Sequence, residues 1–191
     1  IFMYNIGIIG TSKISQQKLI PAINKSKYVS FWSIFSNDYD RAVSFSKKYN
    51  ACSPSPSHNK IESFLSDSKL DVVIVTTYDN YHSKYTILSA KHKKHVLVEK
   101  PIATNYLDAL KMINICKSNK VKLSVAYHLR WHNGNRKIVK KIHNGYLGEI
   151  HYARIRWSYL DSISNWRSNS KYGKWWSLAA VGTHCIDFMI W

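Results

Sequence analysis

Short apolar runs alternate with longer amphipathic stretches over the first two-thirds of the chain. Tyr4-Asn5-Ile6-Gly7-Ile8-Ile9 reads as a buried strand, and residues 13–26 as the helix after it. The same pair recurs as a strand over 29–35 with a helix over 39–49. Ser53-Pro54-Ser55-Pro56-Ser57 is a loop, followed by a short helix over 60–67. Asp71-Val72-Val73-Ile74-Val75-Thr76 is a further buried strand. Helices over 80–93 and 104–118 lead to strands over 95–98 and 121–126. This alternation predicts βαβ units and a parallel sheet, with right-handed crossovers. The pattern then changes. An amphipathic helix over 132–144 stops at Asn144-Gly145, a C-cap pair. Ile150, Tyr152, Ile155 and Trp157 alternate through a strand over 149–159, and a polar loop over 161–174 precedes a last helix. The reading is α/β, with one domain over 1–126 and an incomplete second over 127–191.

A length of 191 residues suits one domain and a small second one. No apolar stretch is long enough for a membrane span, and the N-terminus lacks a signal-peptide pattern. The chain opens Ile1-Phe2 before reaching Met3, and it closes inside an apolar helical run, so it reads as a fragment of a longer protein. Cys52, Cys116 and Cys185 are widely spaced and odd in number, which suits a reducing cytoplasm. The net charge of +17 would suit nucleic acid. However, lysine outnumbers arginine and is scattered rather than striped, so neither nucleic acid nor membrane is the expected partner.

Two places carry candidate chemistry. Gly10-Thr11-Ser12-Lys13-Ile14-Ser15 follows the first strand where a dinucleotide turn would lie. Gly10 fills the first glycine place, while Ser12 and Ser15 stand at the second and third. The helix that follows still offers N–H groups and a positive dipole end to a pyrophosphate. The second place is Val96-Leu97-Val98-Glu99-Lys100-Pro101. It sets a carboxylate, an amine and a rigid proline at the carboxyl end of a strand, where open α/β sheets bind ligands. His92 with His95, and His128 with His132, have metal-like spacing but no completing ligands, so no metal is expected.

Taken together these segments resemble the glucose–fructose oxidoreductase, inositol dehydrogenase and rhizopine catabolism (Gfo/Idh/MocA) family. The resemblance runs through Gly7 to Thr11, Leu70 to His82, Lys94 to Pro101, Arg130, Leu147 to Ile150, Trp166-Arg167 and Gly182 to Asp187. It implies a Rossmann domain followed by a mostly antiparallel α+β domain. The activity implied is an NAD(P)-dependent dehydrogenase or reductase acting on a secondary hydroxyl or carbonyl of a sugar, polyol or related small molecule. Lys100 would lie beside nicotinamide and substrate, His184 would be the acid/base, and Asp187 would support it. Gly10, Thr11, Ser12, Lys13 and Ile14 would wrap the pyrophosphate. Ser36, Asn37 and Arg41 would meet the adenosine ribose. Thr77, Tyr78, His82, Glu99 and Lys100 would line the nicotinamide side, with Arg130 and Arg167 also on the cofactor. Ser36 fits the family's NADP-type pattern, and Arg41 and Lys13 offer cations for a 2′-phosphate, so the reading leans to NADP(H) over NAD(H). A homo-oligomer is implied for the full-length protein.

Departures from the family pattern are Ser12, Tyr78 in place of a proline, Trp175-Trp176 where small glycines usually run, and Ala180 in place of an aspartate. An aspartate four residues before His184 would share its helical face. Asp187 either takes over that support or faces solvent or a basic residue. The rival reading is a non-catalytic NAD(P)-binding sensor or regulator of the same fold.

Overall fold

The computed structural model describes residues 3–158, 166–169, 171–172 and 174–191. The chain folds as two compact units, Ile1–Val125 and Ala126–Trp191.

The first unit is a parallel six-stranded sheet in the order β3-β2-β1-β4-β5-β6. Its strands are β1 (Tyr4–Ile9), β2 (Val29–Phe35), β3 (Ser57–His58), β4 (Val72–Val75), β5 (His95–Val98) and β6 (Leu123–Val125). This is the doubly wound Rossmann order, and the chain reverses direction across the sheet between β1 and β4. The helices are α1 (Ile20–Lys25), α2 (Tyr39–Lys48), α3 (Ile61–Leu65), α4 (His82–Lys91) and α5 (Tyr106–Ser118). A π-helical turn, Ser15–Leu19, leads into α1.

The strands are almost wholly apolar because both faces are covered. Ile9, Phe35, Val73, Val75, Val96 and Val98 pack on one side with Phe64, Tyr85 and Met112. Ile6, Ile8, Ile34 and Ile74 pack on the other with Ile20, Ile23 and Phe45. Successive residues alternate between these two cores, as the pleat requires. Gly7 lets the Phe64 ring lie on the β1 backbone, since a Cβ there would come within 2.6 Å of that ring. Lys94 is buried, and its Nζ donates to the carbonyls of Asp67 and Leu70 at 2.6 and 2.8 Å. Burial pushes its pKa down.

The Ser/Pro stretch is not all loop. Ser57 and His58 pair with Ile34 and Phe35 and form the sheet edge. Two residues are too few to show alternation, so the tertiary partner alone defines this strand.

The second unit contains α6 (Asn133–His143) and α7 (Thr183–Ile190), with a π-helical turn, Leu178–Gly182, leading into α7. Gly145, at φ +71°, ends α6 in a Schellman arrangement: Tyr146 N–H donates to Lys141 O and Gly145 N–H to Ile142 O. The strand expected over 149–159 does not form over 149–158, and 159 lies outside the described residues. Among the described residues this segment pairs with no other strand, and an alternating pattern without a ladder makes no strand. Of the polar loop expected over 161–174, residues 161–165, 170 and 173 lie outside the described residues, and Trp166–Ser168 form a 3₁₀ turn. No helix among the described residues is long and apolar enough to cross a membrane.

Candidate functional site

Four backbone hydrogen bonds set the carboxyl edge of the first sheet in step. Ser36 N–H donates to His58 O, Gly10 N–H to Phe35 O, Thr76 N–H to Ile9 O, and Glu99 N–H to Val75 O, all at 2.9–3.0 Å. Each residue just past one strand is thereby tied to a neighbouring strand's last turn. The loops that carry Ser36, Gly10, Thr77 and Lys100 all start from this one edge, where doubly wound sheets bind ligands.

The turn after β1 shows how serines replace glycines. Gly10 has φ +106°, and a Cβ there would lie 3.1 Å from the Thr76 hydroxyl. Both backbone conformation and space therefore favour glycine. Thr76 Oγ1 lies 3.1 Å from the carbonyl oxygens of both Ile9 and Gly10. Carbonyls only accept, so the Thr76 hydrogen points at them and the buried Ser15 hydroxyl donates to Thr76 at 2.8 Å. Ser12 in turn donates to Ser15 at 2.9 Å and accepts the Ser15 N–H at 3.3 Å. Ser12 thus caps the helix, and Ser15 fills the third glycine place with its hydroxyl satisfied. Lys13 and Ile14 are exposed, while Gly10, Thr11 and Ser12 are half-buried.

After β2, Ser36 Oγ accepts from Asp38 N–H at 3.2 Å, and Asp38 Oδ1 caps α2 by accepting from Arg41 N–H at 3.0 Å. The Arg41 guanidinium sits 3.5 Å from the same carboxylate, and both side chains are more than half exposed. Asn37 is exposed, and its side-chain amide donates a hydrogen bond to the Tyr85 phenol oxygen. Burial pushes the Tyr85 pKa up, and this bond opposes the shift.

After β4, Thr77 is half-buried and Tyr78 exposed. His82, expected to line the nicotinamide side, is instead fully buried, with Nδ1 2.7 Å from Pro101 O and Nε2 3.2 Å from Thr77 O. It supports these loops from beneath, because both ring nitrogens face backbone oxygens. After β5, Glu99 turns back so that Oε2 accepts from Lys100 N–H at 3.2 Å, and the Lys100-Pro101 peptide is cis.

In the second unit His184 is buried on α7. The Trp157 ring stacks on it at 6.0 Å, and the rings of His128 and Tyr127 meet it edge-on at 4.9 and 6.0 Å. The Tyr127 hydroxyl hydrogen-bonds Thr183 at 2.9 Å. One turn on, both oxygens of Asp187 accept from Arg130, at 2.9 and 2.8 Å. That carboxylate raises the Arg130 pKa. Arg130 also lies over the Trp191 ring, and Arg167 lies over Trp166 at 4.2 Å. Asp187 and Arg130 are therefore partners of one another. The face expected to be shared by positions 180 and 184 is altered too, because Leu178–Gly182 is π-helical and bonds i to i+5. Ala179 and Ala180 are both buried there.

The sequence profile of the Gfo/Idh/MocA oxidoreductase family, an NAD-binding Rossmann fold, matches residues 4–127. The chain belongs to this family. One relative, 2,7-anhydro-N-acetylneuraminate hydratase of Escherichia coli K12, is 33% identical over 112 residues, covering 57% of this chain and 30% of its own. Myo-inositol 2-dehydrogenase of Thermotoga maritima is 35% identical over 91 residues, 48% of this chain and 27% of its own. The crystal structure of aldose-aldose oxidoreductase from Caulobacter crescentus, complexed with glycerol, has the same fold at a TM-score of 0.86 and 22% identity. That match covers 98% of this chain and 56% of the other. The chain thus spans about half the length of that neighbour.

Three participants in this family member's sheet edge are not among the expected site residues: Thr76, Tyr85 and Asp38. Hydroxyl and ring partners distant in sequence define the first two. Asp38 does carry a local signal, a capping residue just before the apolar positions of α2, which points to a helix start rather than to a site. His92 and His95 have backbone duties, at Leu88 O and Lys122 N–H respectively. Among the described residues no group of three or more His, Cys, Asp or Glu side chains could hold a metal ion.

Proposed function

We propose that this Gfo/Idh/MocA chain contributes to an NAD(P)-dependent oxidoreductase acting on a secondary hydroxyl or carbonyl of a sugar or polyol-like small molecule. The observation that carries the reading is the aligned carboxyl edge, from which the Gly10 turn, the Thr77 loop and Lys100 all start at the sheet's switch point. A dinucleotide fits this donor set. A positive-φ glycine and a capped helix start suit a pyrophosphate, and Lys13 and Arg41 supply cationic charge. Gly10 to Ile14 would hold the pyrophosphate, Ser36, Asn37 and Arg41 the adenosine ribose, and Thr77, Tyr78, Glu99 and Lys100 the nicotinamide side. When bound, the nicotinamide accepts or supplies the hydride.

The chain's own residues supply the proton and charge chemistry. His184 takes the proton from the substrate hydroxyl in oxidation and returns it in reduction. The Lys100 ammonium stabilises charge developing on the substrate oxygen. Asp187 acts through Arg130 and holds α7, the helix that carries His184. Arg130 and Arg167, expected on the cofactor, are assigned here to Asp187 and to Trp166. The Arg41–Asp38 pair is exposed and contributes little, so Arg41 is available to a 2′-phosphate, which supports the leaning to NADP(H). The full-length protein is read as a cytoplasmic homo-oligomer.

Titration of the protein with NADPH and NADH, followed by nicotinamide fluorescence, tests the first half of this reading. Saturable binding supports it, and tighter NADH binding by about tenfold, or 1.4 kcal/mol, reverses the preference. Lys100→Ala and His184→Ala in the full-length protein are each expected to lower kcat by about 100-fold or more. Near-normal turnover removes them from the mechanism. The buried alanine at 180 favours a second reading, an NAD(P)-binding sensor without turnover. Substrate-dependent hydride transfer eliminates that reading.

A further inference from the structure

The carboxyl edge has a gap in its backbone support, and His82 spans it. The β4–β5 ladder runs to Val75 and Val98, and Glu99 N–H adds one bond to Val75 O. Beyond that point the chain after β4 turns into the Thr77 loop, and the chain after β5 becomes Lys100-Pro101. His82, the first residue of α4, places its ring between the two. Nδ1 is 2.7 Å from Pro101 O, and Nε2 is 3.2 Å from Thr77 O. The side chain is 0% exposed.

The two oxygens constrain the ring. A carbonyl oxygen only accepts hydrogen bonds. A neutral imidazole has one N–H and one lone pair, so it would satisfy one carbonyl and turn a lone pair on the other. An imidazolium donates to both. Two carbonyl dipoles aimed at one ring also replace part of the hydration that a buried cation loses. We propose that His82 is an imidazolium clamp: a positioning residue that ties the Thr77 loop to the Pro101 carbonyl and thereby fixes the backbone carrying Lys100. The positioning role rests on the reading of Lys100 as a catalytic residue, whereas the charge state does not.

The clamp explains why a polar ring sits at the buried start of α4. The Thr77 and Pro101 carbonyls both lie past the last ladder bonds, and a buried carbonyl left unpaired is destabilising. One doubly donating ring satisfies both. It also couples the two loops, so that displacement of either is felt by the other.

The test uses the full-length protein with histidine-selective ¹⁵N labelling. Long-range ¹H–¹⁵N NMR reads the protonation of each ring nitrogen at neutral pH. The His82 signals are assigned by their loss in His82→Gln, or, if that variant does not fold, by substituting the other histidines in turn. Protons on both nitrogens are expected, and a single protonated nitrogen overturns the clamp. His82→Gln is further expected to lower kcat by about tenfold or more, with a smaller rise in the Kd for NADPH, while His92→Gln leaves both unchanged. Unchanged kcat, or a loss confined to cofactor affinity, overturns the positioning role. Lys100→Ala separates the two readings. Normal turnover in that variant removes the catalytic assignment of Lys100 and leaves the NMR result on His82 standing.

Discussion

The two units treat similar sequence patterns differently. In Ile1–Val125 each apolar run finds neighbours, and its strands become the middle layer between two cores. In Ala126–Trp191 the run containing Ile150, Tyr152, Ile155 and Trp157 alternates as well as any strand upstream. Yet those four side chains remain 37–79% exposed and form no ladder. Alternation states which face of a strand would be buried, and only a neighbouring chain makes the strand. The second unit instead anchors its helix α7 by a guanidinium–carboxylate fork and a cluster of rings around His184.

The largest expected effect contrasts the cores directly. Phe64→Ala removes a fully buried ring from the first unit and should cost about 3–5 kcal/mol in urea unfolding. Ile155→Ala, at a side chain 37% exposed in the second unit, should cost under about 1 kcal/mol. Equal losses would break the comparison. Next is the fork. Arg130→Ala strips both donors from an Asp187 side chain that is 10% exposed. It should cost about 2 kcal/mol and speed hydrogen exchange in α7, with β1 and β4 unaffected. Uniform loss of protection across both units would show that the fork serves more than its own helix.

A smaller change sharpens the comparison from the other side. Trp175 holds φ +60°, a conformation that suits glycine and strains a bulky side chain, and the ring is 68% exposed. Trp175→Gly should stabilise the second unit by about 1 kcal/mol. A fall in its melting temperature would mean that the ring packs usefully despite its exposure.

The smallest effect is a pH dependence of the first unit. Burial holds the pKa of His58 below its ordinary value. As pH falls through that ordinary value, near 6.5, the unfolded chain takes up the proton before the folded one. The stability linked to His58 is therefore present above that pH and lost below it. His58→Asn should flatten this acid limb in urea melts, and an unchanged limb would assign it to another group.

Much of the fold was legible because the first unit's signals are local. The bounds of β1 and β2 follow from apolar runs flanked by turn residues, and the α6 stop follows from Asn144-Gly145. β3 was not legible, since two residues carry no period. At the candidate site, Gly10 and Lys100 were readable from their positions at strand ends. The burial of His82 and the Tyr85–Asn37 bond were not, because their partners lie far away in the chain or are backbone atoms without a residue signature. Spacing alone leaves Asp187 open between supporting His184 and pairing with a basic residue, and the structure pairs it with Arg130.

By itself the sequence determined the α/β class, the alternation of strands and helices, the ends of most of them and the family to which the chain belongs. These depend on periodicity, caps and short motifs, which act over a few residues. Only the tertiary structure decided the strand order, the hydroxyl chain from Ser12 through Ser15 to Thr76, the carbonyls around His82 and the fate of residues 149–158. Hydrogen bonds and packing interactions of that kind join residues distant along the chain, and they exist only once folding has brought both partners within a few ångströms.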